Sequence, residues 1–98
     1  MKIKLLSSAL DDLTNGRFFY EKQGEGVGEY FFDSLFSDID SLSLYAGIHP
    51  KFYDYHRMLS KRFPYAVYYK IERQTVVEVW RVLDLRSNPS KIKKSLKN

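Results

Sequence analysis

The sequence predicts an α+β domain: a two-helix hairpin packed on a mainly antiparallel β-sheet, in the order β-α-α-β-β-β, with a short C-terminal helix open after it. Three observations predict it. First, two runs rich in β-branched and aromatic residues, Ala66 to Glu72 and Thr75 to Arg86, flank a polar break at Glu72-Arg73-Gln74-Thr75. That is the pattern of a β-hairpin with a short loop. Second, two amphipathic segments joined by a glycine-containing connector precede that hairpin. Third, 98 residues with a 44% apolar content, 7 Phe and 8 Tyr can build one hydrophobic core and not two.

The elements follow in order. Lys2 to Leu6 alternates, with Ile3 and Leu5 on one side and Lys2 and Lys4 on the other. This reads as a short edge strand. Ser8 with Asp11 resembles a capping box, and Asp11-Asp12 suit the positive end of a helix. The helix is expected from about Ala9 to Lys22, with Leu10, Leu13, Arg17 and Tyr20 on one face. Asn15-Gly16 predicts a kink or break in its middle, since glycine costs about 1 kcal/mol there.

Gln23-Gly24-Glu25-Gly26 is the connector, with Gly24 as the residue that ends the helix. A second helix is expected from about Val27 to Leu44. Val27, Tyr30, Phe31, Leu35, Ile39 and Leu42 form its apolar stripe, widened by Phe32 and Phe36. Glu29, Asp33, Asp38 and Asp40 take the wet side. Helices joined by so short a loop pack antiparallel. Ala46-Gly47-Ile48-His49-Pro50 is a loop. Phe52 to Leu59 then reads as one strand, with Tyr53, Tyr55, Arg57 and Leu59 alternating against Asp54, His56 and Met58. Ser60 to Pro64 is a turn, and the hairpin follows. Arg86-Ser87-Asn88-Pro89 stops the last strand, and Ser90 caps a short basic helix from Lys91 to Lys97.

Charge divides along the chain. Residues 1–50 hold four Lys/Arg against eight Asp/Glu, a net of −4, and residues 51–98 hold twelve against four, a net of +8. A basic half that carries the sheet points to an acidic or nucleic-acid partner. No cysteine is present, which excludes disulfides and thiolate metal sites. Asp11-Asp12 interrupt the apolar N-terminus, so no signal peptide is expected, and no run is long enough for a membrane span. A cytoplasmic location is the expectation.

Most catalytic chemistries find no pattern here. His49 and His56 are the only histidines, and Asp54 alone could join them, so no metal or cofactor site is expected. No serine sits in a nucleophile elbow. Gly24-Glu25-Gly26-Val27-Gly28 lacks the preceding strand and the Lys-Ser/Thr ending of a phosphate loop. Arginines and lysines remain. If the strands form a meander, Arg57, Arg62, Arg81 and Arg86 gather on one groove that suits phosphates, with Lys61 beside Arg62 in the turn.

These residues also carry a resemblance. The β-α-α-β-β-β order, Ala9-x-x-Asp12-Leu13, Arg62-Phe63-Pro64-Tyr65-Ala66-Val67-Tyr68-Tyr69 and Val82-Leu83-Asp84-Leu85-Arg86-Ser87-Asn88-Pro89 together resemble the RelE/ParE toxins of bacterial type II toxin–antitoxin modules. The resemblance implies a small toxin wrapped and neutralised by a cognate antitoxin. ParE-like members poison DNA gyrase by binding. RelE-like members cut mRNA in the ribosome and carry an arginine where this chain has Ala66. Related chains end in Arg-Arg-Asp-Pro, where this one has Arg86-Ser87-Asn88-Pro89. The reading is therefore a ParE-like binding toxin, with Arg57, Lys61, Arg62, Arg81 and Arg86 facing the target. A ribosome-dependent endoribonuclease and a non-toxic binding module of the same fold are the alternatives. A homodimer is left open.

Overall fold

The computed structural model describes residues 1–97. The elements run β1 (Lys2–Leu5), α1 (Ser7–Glu21), α2 (Val27–Asp40), α3 (Leu42–Tyr45), β2 (Lys51–Phe52), β3 (Tyr55–Leu59), β4 (Tyr65–Glu72), β5 (Val76–Asp84) and α4 (Pro89–Leu96). The five strands lie in the order β1-β5-β4-β3-β2. β1 runs parallel to β5, and every other neighbouring pair is antiparallel. The α+β architecture, with a two-helix hairpin on a mainly antiparallel sheet and a C-terminal helix, is the one the sequence predicts.

The sheet is covered on both faces. Ala9, Leu13 and Tyr20 of α1 and Phe31, Leu35 and Ile39 of α2 pack with Met58, Val67, Tyr69, Val77, Val79 and Val82. The opposite face buries Tyr55, Ala66, Tyr68 and Leu83 under Leu96 and Ile92 of α4. α1 is uninterrupted, which corrects the break expected at Asn15-Gly16. Gly16 is buried, and a Cβ there would stand 2.5 Å from Phe31 Cε2. Gly28 makes the same fit from α2, where a Cβ would stand 2.5 Å from the Arg17 carbonyl oxygen. Gly16 makes room for the Phe31 ring, and Gly28 lets the α2 backbone approach that of α1 closely.

Other boundaries differ for local reasons. α1 starts at Ser7 with no side-chain cap, and Ser8 Oγ instead donates to the Trp80 carbonyl at 2.6 Å. Its buried face is Ala9, Leu13, Gly16 and Tyr20, whereas Leu10 is exposed and Arg17 pairs with Glu29. Gly26, not Gly24, takes the left-handed conformation, and the Glu21 carboxylate accepts from the Gly26 and Gly28 N–H groups to cap α2. α2 ends at Asp40 and restarts as the single turn α3. Asp38 lies inside rather than on the wet side, because it accepts from Ser60 Oγ and the Lys61 N–H. At the far end Asn88, not Ser90, caps α4, accepting from the Ser90 N–H at 2.9 Å, with Pro89 opening the helix.

Two strand expectations also change. Phe52 to Leu59 is not one strand. Tyr53 and Asp54 both have positive φ, 52° and 70°, and turn the chain back between β2 and β3. Asp54 therefore does not share a strand face with His56. In β5 the pairing slips between Tyr68 and Tyr69, so Arg81 opposes Tyr68 while Val79 opposes Tyr69. The extra residue, Trp80, is a β-bulge that resets the alternation. Val79 and Val82 consequently share the face under α1 and α2, and Leu83 turns to the other.

Candidate functional site

The bulge decides where the basic side chains go. Arg57, Tyr68 and Arg81 stand in one register row across β3, β4 and β5. Adjacent strands lie about 4.8 Å apart, so the two arginine backbones are roughly 10 Å from each other. Their guanidinium groups part company.

Arg81 is turned at the bulge toward α1. Its Nε and Nη2 donate to the two Asp12 oxygens at 2.7 and 2.9 Å, and its Nη1 to the Ser95 carbonyl at 3.3 Å. Asp12 Oδ2 also accepts from the Val82 N–H at 2.9 Å. The carboxylate raises the Arg81 pKa, so the pair stays charged. Arg81 thus clasps α1, β5 and α4 together.

Arg86 lies just beyond the strand. Its Nε and Nη2 hold Asp84 at 3.0 and 2.8 Å, and Nη2 also donates to the Tyr20 hydroxyl at 3.2 Å. Its guanidinium sits 5.7 Å from the Phe19 ring centroid. Arg86 keeps Asp84 below the usual carboxylate range. Burial, with help from Asp84, pushes the nearby Tyr65 phenol up to about 12. Asp12, Tyr65, Arg81 and Asp84 line a hollow of about 370 Å³ between α1, β5 and α4.

Arg57 serves the other end of the row. Its guanidinium stacks 3.8 Å over the Phe52 ring, and its Nε is buried with no acceptor among the described residues. Burial raises the neighbouring Tyr68 phenol, and the Arg57 charge offsets part of that. Arg57 and Lys61 line a second hollow of about 450 Å³ with Tyr45, Ile48, Pro50 and Met58. Arg62 is exposed in the turn between β3 and β4.

The five cations therefore do not converge on one groove. Arg81 lines one hollow, Arg86 stands outside its lining beside Asp84, and each is held by a carboxylate. Arg57 and Lys61 frame the other, and Arg62 stands at the turn near it in sequence. The single-groove expectation fails because it assumed unbroken alternation in β5 and one continuous strand before Leu59.

Sequence reasoning passed over three site residues. Asp12 was read as a helix-end charge, although its place in Ala9-x-x-Asp12-Leu13 was the available signal. Tyr20 is named from the sequence only as part of a helix face, and Tyr65 only as part of the Phe63-Pro64-Tyr65 entry to the hairpin. No helix among the described residues is long and apolar enough to cross a membrane.

Comparison with known proteins gives the fold a counterpart. No family model matches the chain, and no curated protein sequence is similar to it. Among solved structures, a chain of the chromosomal ParDE TA system from P. aeruginosa superposes with a TM-score of 0.79 at 14% identity. The match covers 88% of this chain and 97% of that one. The likeness shows that the two chains share a fold.

Proposed function

We propose that this chain is the toxin of a toxin–antitoxin pair, acting in the cytoplasm by ParE-like binding to its target, with DNA gyrase the candidate, and neutralised by a cognate antitoxin. The shared fold with a chain of a ParDE system supports the module type.

Binding rather than cleavage rests on one observation. The sheet face that contains Ala66 is closed by α4, whose Ile92 and Leu96 pack on Ala66, Tyr68 and Leu83. Ala66 has no exposed surface. An arginine, the group RelE-like cleavage would place there, has no room and no path to substrate. Arg81 and Arg86, which could otherwise stabilise a developing phosphate charge, already hold Asp12 and Asp84. Arg57, Lys61 and Arg62 form no ion pair among the described residues and are the candidate target contacts, together with the half-exposed Arg86.

Controlled expression in bacteria tests this reading. Growth arrest with intact mRNA and an induced DNA-damage response is the expected result. Codon-positioned mRNA cleavage would replace the proposal with the endoribonuclease. Folded protein without arrest would favour the non-toxic binding module.

A further inference from the structure

Beneath the loop that joins α3 to β2 lies a cluster that the proposed function does not use. The Tyr69 side chain comes up from β4 and is fully buried. Its hydroxyl accepts from the Gly47 N–H at 2.9 Å and lies 2.6 Å from His49 Nδ1. His56 on β3 stacks on the Tyr69 ring with centroids 5.0 Å apart, and its Nδ1 lies 2.8 Å from the His49 carbonyl oxygen. A carbonyl can only accept, so His56 Nδ1 carries a proton. The Arg57 N–H donates to the Pro50 carbonyl at 2.9 Å and completes the attachment of the loop.

The protons fix the state of His49. The Gly47 N–H is a donor, so among the described partners of the buried Tyr69 hydroxyl only His49 Nδ1 can accept the hydroxyl's own proton. That bond needs a neutral imidazole with its hydrogen on Nε2. A second proton on His49 would turn Nδ1 into a donor and leave the buried hydroxyl hydrogen without an acceptor. Such a loss costs about 1–3 kcal/mol.

We propose that His49 and Tyr69 form an acid-sensitive latch, which holds the segment from Gly47 to Phe52 on the edge of the sheet at neutral pH and releases it when His49 is protonated. The segment is poised to leave. β2 has two residues, Gly47 takes a positive φ of 99°, and Ile48 is 74% exposed.

The surroundings favour the neutral ring. His56 on β3 faces His49 directly. Arg57 on β3 and Lys61 in the following turn line the same hollow, as do Tyr45 of α3 and Asp38 of α2. Tyr69 is the group from β4. Among the described residues Asp38 is the only carboxylate lining that hollow, and it is engaged by Ser60 and Lys61. Burial, and then His56, lower the His49 pKa below its ordinary 6.5. The sign follows. Above 6.5 both the latched and open states are neutral and the latch is at full strength. Between 6.5 and the lowered value the open state binds the proton and the latch weakens as pH falls.

Amide hydrogen exchange read by NMR at Gly47 and Ile48 tests the latch, with rates corrected for intrinsic pH dependence. Protection in the native chain is expected to fall by up to about tenfold for each pH unit below 6.5 until the lowered His49 pKa is reached. His49→Gln keeps an acceptor that does not titrate, so its protection is expected to be flat with pH. Tyr69→Phe removes the acceptor of the Gly47 N–H and is expected to leave the Gly47 amide unprotected at pH 7.5 and 5.5 alike. Unchanged protection of the native chain across this range would overturn the proposal. So would a His49→Gln variant that keeps the pH dependence, and this arm stands even if Tyr69→Phe fails to fold.

Discussion

Asp12 receives three N–H donors at once, two from Arg81 and one from the Val82 backbone. Its side chain is only 12% exposed, and that of Arg81 27%. Removing it strands a mostly buried cation and a backbone donor. Asp12→Ala is therefore expected to cost about 3 kcal/mol, seen as a lower urea midpoint with an unchanged slope. Asp84 offers the contrast. Its partner Arg86 is 52% exposed, so Asp84→Asn is expected to cost less than about 1 kcal/mol near neutral pH. Because Arg86 lowers the Asp84 pKa, its small contribution is present above the usual carboxylate range and is lost as pH falls through the lowered value. Urea midpoints for the native chain and Asp84→Asn should converge at acid pH. Arg86→Ala then separates roles: it is expected to leave the fold nearly intact, so any loss of toxicity would report on target contact.

At the scale of elements, the helix hairpin depends on glycine where propensity argues against it. An alanine at Gly28 gains about 1 kcal/mol of helix propensity. It also places a methyl 2.5 Å from the Arg17 carbonyl, a backbone atom that cannot step aside. Gly28→Ala is expected to destabilise by about 1–3 kcal/mol net, with a lowered thermal midpoint as the measure. The β4–β5 turn shows the opposite case. Arg73 and Gln74 both take positive φ, 52° and 61°, which neither side chain favours. Replacing them with Asn-Gly is expected to stabilise by about 1 kcal/mol without moving the strands.

The same elements show what the sequence could and could not reveal. The β4–β5 hairpin was legible because its strands are long and rich in Val and Tyr. α2 was legible because its apolar stripe repeats at helical spacing. The β2–β3 reversal was not, because Tyr53-Asp54 carry no Asn-Gly signature and the flanking residues continue to alternate. The Trp80 bulge was hidden because a slip of one residue leaves composition unchanged and inverts only the facing. Gly16 was misread because local propensity predicts a break, whereas the reason for the glycine is Phe31, 15 positions away.

For the whole molecule, the uneven charge of the chain resolves into geometry. Acids of the N-terminal half meet arginines of the sheet, as in Asp12 with Arg81, while Lys61 and Arg62 stay at the surface. The arrangement of the candidate cations was not legible: they lie in two groups rather than in the one groove expected. The proposed binding mode rests on the closure of the Ala66 face by α4. The most direct measurement combines the purified chain with DNA gyrase and relaxed plasmid, and separately with programmed ribosomes. Loss of supercoiling in the first, with untouched mRNA in the second, is the predicted result. Undisturbed supercoiling with mRNA cut at the ribosome would contradict it.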